Sequence, residues 1–133
     1  MKKVEILERK GKIPVKKDKI RQITKKIMRE EGISDYLISL VYAERELLRE
    51  LNKRYRNIDR STNVLSFLYE AYPLLFGEII ISRYHVETKG ENFLKLYIHG
   101  LLHLLGYDHI EKEEKEIMEK KESYYLEKIS NES

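Results

Sequence analysis

The chain has 133 residues, 37% of them charged, a net charge of +3 and no cysteine. That length suits one domain with a real core, 1–133. No apolar run approaches a membrane span, and without cysteine any metal must be held by His, Asp or Glu. Met1, Lys2 and Lys3 are followed by Glu5 and Glu8 rather than by an apolar run, so no signal peptide is expected and the expected compartment is the cytoplasm. Residues 1–30 hold twelve Lys/Arg against four Asp/Glu, and residues 111–133 hold five Lys against eight Glu. A basic half and an acidic tail fit attraction to a polyanion from one side, or equally an ordinary solvated helix face.

In chain order, residues 2–8 alternate weakly and read as an edge strand, broken by Gly11 and Pro14. Ile20, Ile23, Ile27 and Met28 follow helical spacing from Lys16 to Glu31, with Gly32 as the stop and Lys16, Lys17, Lys19, Lys25, Lys26 and Arg29 outside. Leu37–Ala43 is almost continuously apolar, a buried strand. Glu44 opens a helix that places Leu47, Leu48 and Leu51 on one side, followed by a polar connection from Asn52 to Asn57. Val64–Tyr69 and Phe76–Ser82 read as strands, with Pro73 marking the turn between them. Asn92 is the N-cap of a helix running into the histidines, and Glu111–Lys128 is a last polar helix turning Ile117, Met118 and Tyr125 inwards. The order β-α-β-α-β-β-α-α predicts a small sheet packed with helices.

Three of the four histidines lie in His99–His109, HGLLHLLGYDH. His99 and His103 are one helical turn apart, on one face. Gly106 accepts a left-handed backbone and lets the chain turn back, bringing His109 towards the pair. Three imidazoles with an open fourth position form a catalytic zinc site, although three imidazoles also accept nickel or another divalent metal. The alternative is a set of core histidines bonded to carbonyls or carboxylates.

The ligand spacing and the glycine match the metzincin zinc peptidases, but Gly100 stands where a peptidase carries its general base. A peptidase would need a displaced carboxylate, for which Glu78 and Asp108 are the candidates. A phosphodiester suits the remaining residues better, because a guanidinium can take up its developing charge. Arg56, beside Tyr55, offers a two-pronged grip, with Arg54 and Arg60 as alternatives; against this, Arg56 could simply pair with Asp59. His85, far from the cluster's spacing, reads as a surface or sheet-end residue.

Three segments together resemble the YbeY family of bacterial endoribonucleases: HGLLHLLGYDH at His99–His109, LNKRYRNIDRSTNVLSF at Leu51–Phe67 and FGEIIIS at Phe76–Ser82. Ser61 stands where the family usually has proline, and Glu78 where it has aspartate. The resemblance implies an α+β fold with a small mixed four-stranded sheet, four to five helices and a metzincin-like zinc-site helix. It implies one zinc ion on His99, His103 and His109, a cleft-lining Arg56, and substrate contacts from Arg56, Arg60 and Ser66. The expected activity is a metal-dependent, single-strand-specific endoribonuclease that matures the 16S rRNA 3′ end and serves ribosome quality control. Its partners would be rRNA and ribosomal components, with neither DNA nor membrane. The rival readings are the peptidase with a displaced base and a non-catalytic ribosome-assembly factor using the metal as a staple and the basic first helix as a dock.

Overall fold

A computed structural model describes residues 1–107 and 111–131. Four strands, β1 (Lys2–Glu8), β2 (Tyr36–Ala43), β3 (Val64–Glu70) and β4 (Leu75–Ser82), form one sheet in the order β1-β2-β4-β3. β1, β2 and β4 run parallel, and β3 returns antiparallel to β4 at the far edge, so the sheet is mixed. The helices are α1 (Lys17–Glu30), α2 (Arg45–Arg56), α3 (Arg83–Glu87), α4 (Phe93–Leu104) and α5 (Lys112–Asn131). None is long and apolar enough to cross a membrane.

Alternation along the strands divides the core in two. Ile38, Leu40 and Tyr42 of β2, with Ile79 and Ile81 of β4, face one way. They bury against Ile20, Ile23 and Ile27 of α1, the apolar face of α4, and Met118 and Tyr125 of α5. Val41, Ala43, Ile80 and Leu65 face the other way, against Leu48 of α2, with Leu47 and Leu51 packed at its margin. The histidine helix and α2 therefore lie on opposite faces of the sheet.

Three local expectations are corrected. Residues 52–56 are the last turns of α2 rather than a connection. Asn52 turns inwards and donates from Nδ2 to the Arg60 carbonyl at 3.0 Å, and the helix stops only at Asn57, which takes a left-handed φ of 58°. A short α3 follows β4, capped by Ser82 Oγ accepting from the His85 N–H. On α5 the buried residues are Met118, Glu122, Tyr125 and Ile129, whereas Ile117 is 53% exposed, because it lies one position off that stripe.

Candidate metal centre

The α4 helix is apolar almost all round, with Phe93, Leu96, Tyr97, Ile98, Leu101, Leu102 and Leu104 buried. Its start is fixed as expected: Asn92 Oδ1 accepts from the Lys95 N–H at 3.1 Å. Its end is a Schellman motif. The Gly106 N–H reaches the His103 carbonyl at 3.1 Å and the Tyr107 N–H the Leu102 carbonyl at 3.0 Å, while Gly106 takes φ +98°. The helix thus ends directly after the second histidine, at the glycine.

Lys95, His99 and His103 form the polar stripe of this helix, each one turn from the next. The imidazoles of His99 and His103 lie edge to face with centroids 4.7 Å apart, and their Nε2 atoms are 3.1 Å apart. Two ligands held at 2.0–2.1 Å by one tetrahedral zinc ion stand about 3.3 Å apart, so this pair fits a shared cation. On its other side, His99 Nδ1 bonds Glu122 Oε1 of α5. Glu122 is only 9% exposed. Beside it a cleft of about 380 Å³ is lined by Asn63, Glu91, Asn92, Lys95, Leu96, His99 and Glu122. Among the described residues no three His, Asp or Glu side chains gather into a metal-holding group, and the third expected ligand, His109, lies outside the described residues, as does Asp108.

The remaining expected residues are distributed around the edge strand. Ser66 Oγ donates to the Gly100 carbonyl at 2.9 Å, so this side chain ties β3 to the histidine helix. On the opposite face, the Tyr55 ring packs edge-on against Phe67 at 5.5 Å. Arg56, next to Tyr55, is exposed at the end of α2. Residues 66 and 67 of β3 therefore stand between the neighbourhood of Arg56 and that of His99, at the sheet's outermost strand.

Asp59 is held by Arg49 at 2.9 Å, and this hydrogen bond keeps its carboxyl below the ordinary aspartate value. Arg54 reaches Glu50 at 3.0 Å. Arg60 is exposed, with its carbonyl occupied by Asn52.

Glu78 alternates with Gly77 and Ile79, which face α4, and so points to the far side of the sheet. There it accepts from the Tyr69 hydroxyl at 2.9 Å. Burial and this bond push the Tyr69 phenol up to about 12. A displaced base for the histidine pair is not supplied by Glu78. His85 bonds Ser82 Oγ at 2.7 Å at the end of β4, away from α4. Two residues of the site escape the sequence: Glu122, on a helix that reads as solvated, and Lys95, whose only signal is its four-residue spacing from His99.

The family model described as Endoribonuclease YbeY matches residues 5–130. The chain belongs to the endoribonuclease YbeY family. It is 37% identical to an endoribonuclease YbeY of Clostridium botulinum (strain 657 / Type Ba4) over 153 aligned residues, covering 89% of this chain and 92% of that one. The alignment is longer than this chain, so the relative carries residues that this chain lacks. An endoribonuclease YbeY of Sulfurimonas denitrificans is 47% identical over 81 residues, 54% of this chain and 58% of that one. Among solved structures, the solution structure of TM1509 from Thermotoga maritima superposes with a TM-score of 0.62 at 28% identity, covering 98% of this chain and 91% of that one.

Proposed function

We propose that this chain is a metal-dependent endoribonuclease that cuts single-stranded rRNA, acting as one domain in 16S rRNA 3′-end maturation and in ribosome quality control. The observation that carries the reading is the pair of Nε2 atoms, 3.1 Å apart on a helix that ends at Gly106, in a chain of the YbeY family. His99 and His103, with His109 completing the set, would hold one zinc-type divalent ion. When bound, that ion supplies Lewis-acid polarisation and activation of water. The protein's own part is to orient the RNA. Arg56 offers a planar donor pair for a phosphate on one side of β3, and Lys95 offers a point charge on the histidine side. Arg60 and Ser66 are further substrate contacts in this reading, Ser66 in addition to its bond to Gly100. A strand lying across the edge of β3 meets both sides.

Peptide hydrolysis is disfavoured, since Gly100 carries no base and Glu78 faces the other way. The partners in this reading are rRNA and ribosomal components, and the compartment is the cytoplasm.

Elemental analysis of the purified protein, together with cleavage of a single-stranded RNA with and without chelator, tests the proposal. About one bound divalent ion per chain and chelator-sensitive cleavage are expected. Metal-loaded protein that binds RNA and leaves it intact would overturn it.

A further inference from the structure

The inward stripe of α5 consists of Met118, Glu122, Tyr125 and Ile129, three large apolar residues and one carboxylate. Position 122 is a core position by spacing, and a carboxylate there is costly unless something meets it. What meets it is the ring of His99, one helix away and 23 residues earlier in the chain. The carboxylate meets the ring through Nδ1, where the Nδ1–H tautomer would donate to it. Nε2, the other ring nitrogen, lies on the side facing His103, 3.1 Å from that residue's Nε2.

We infer that Glu122 is a positioning residue for the metal centre: it fixes the tautomer and ring orientation of His99 so that Nε2 is presented to the ion. The inference rests on the reading of His99 as a ligand. Carboxylates that orient a ligating imidazole in this way raise its basicity, and losing one typically weakens metal affinity about 10- to 100-fold. A purely structural role makes the opposite forecast. Removing the carboxylate then lowers the thermal midpoint, because the His99 ring loses its Nδ1 partner, and leaves metal binding alone.

The test compares the full-length chain with Glu122→Leu and Glu122→Gln. Zinc is titrated against a competing chelator, ¹⁵N-histidine spectra are recorded before and after zinc, and thermal midpoints are measured. Glu122→Leu should bind zinc about 10- to 100-fold more weakly, whatever its thermal midpoint, and lose the preference of His99 for the Nδ1–H tautomer. Glu122→Gln, whose amide oxygen still accepts from Nδ1–H, should recover most of the affinity. Unchanged His99 tautomer and unchanged zinc affinity in Glu122→Leu would overturn the inference. A wild-type chain with the Nδ1–H tautomer that takes up no zinc would instead overturn the assignment of His99 as a ligand, leaving the orientation by Glu122 established.

Discussion

Ser66 of β3 and Gly100 of α4 meet through a 2.9 Å hydrogen bond from Oγ to the main-chain carbonyl, between the positions of the two helical histidines. The approach is possible because residue 100 has no side chain. A Cβ there would stand 2.7 Å from Ile79 Cγ2 and 3.0 Å from Ser66 Oγ. The Ile79 methyl sits on a stiff, β-branched side chain and cannot swing aside cheaply. The site of the missing peptidase glutamate is thus a helix–sheet contact.

Gly100→Ala should therefore destabilise the fold by about 1–2 kcal/mol, as overpacking outweighs alanine's better helix propensity. Gly100→Glu should cost more and confer no peptidase activity, because the new side chain is driven at Ile79. Urea unfolding and a casein assay check both. A stable Gly100→Glu that cuts casein would contradict the packing account.

Arg56 is exposed, and the partner expected for it, Asp59, is taken by Arg49. Arg56→Ala should change stability by no more than about 0.5 kcal/mol. RNA cleavage should fall by roughly 10²–10³, the usual loss for a donor aimed at developing charge, with the metal content unchanged. Single-turnover cleavage and elemental analysis decide this, and equal cleavage by the variant would remove Arg56 from the chemistry.

Much of this arrangement is legible in the chain itself. β2 and β4 announce themselves by apolar runs, β1 by a weak alternation, and the ends of α4 by Asn92 and Gly106, because these signals act within a few residues. Non-local compensation is what hides the rest. Asn52 reads as connection because its bond to the Arg60 carbonyl exists only once the loop has folded back. Glu122 reads as solvated because its neighbours Lys120, Lys121 and Ser123 are polar, and its partner is on another helix. Glu78 looks available to the histidines until strand alternation turns it to the other face. The family resemblance supplies what no spacing could, the RNA substrate.

Lys95 is exposed on the histidine stripe and lines the cleft beside His99. If it contacts a phosphate, Lys95→Ala should weaken single-stranded RNA binding for all sequences alike. It should also lower the slope of log K against log salt by about 0.7, the counterion contribution of one single-strand contact. Binding titrations at several salt concentrations measure this; an unchanged slope would separate Lys95 from the substrate.

Glu31, at the end of α1, anchors the segment after α4 and the helix carrying Glu122. It accepts from the Tyr107 hydroxyl at 2.6 Å, from the Tyr125 hydroxyl, and from Lys121 Nζ at 3.0 Å. Burial works against its ionisation, but these hydrogen bonds outweigh burial and hold the carboxyl below its ordinary value of 4.5. A carboxyl depressed in the folded state stabilises fully above the unfolded value, and that contribution drains away as pH falls through the folded value. Glu31→Gln should thus be less stable than the wild type by about 1.5–3 kcal/mol at pH 7, the range for hydrogen bonds to a charged group. The gap should close as the pH falls from 4.5 through the lower folded value, below which the wild-type carboxyl is also neutral. Denaturant unfolding of both proteins across that range tests the sign, and a gap that stays constant into acid would mean that the ionised carboxylate is not what holds α5 to α1.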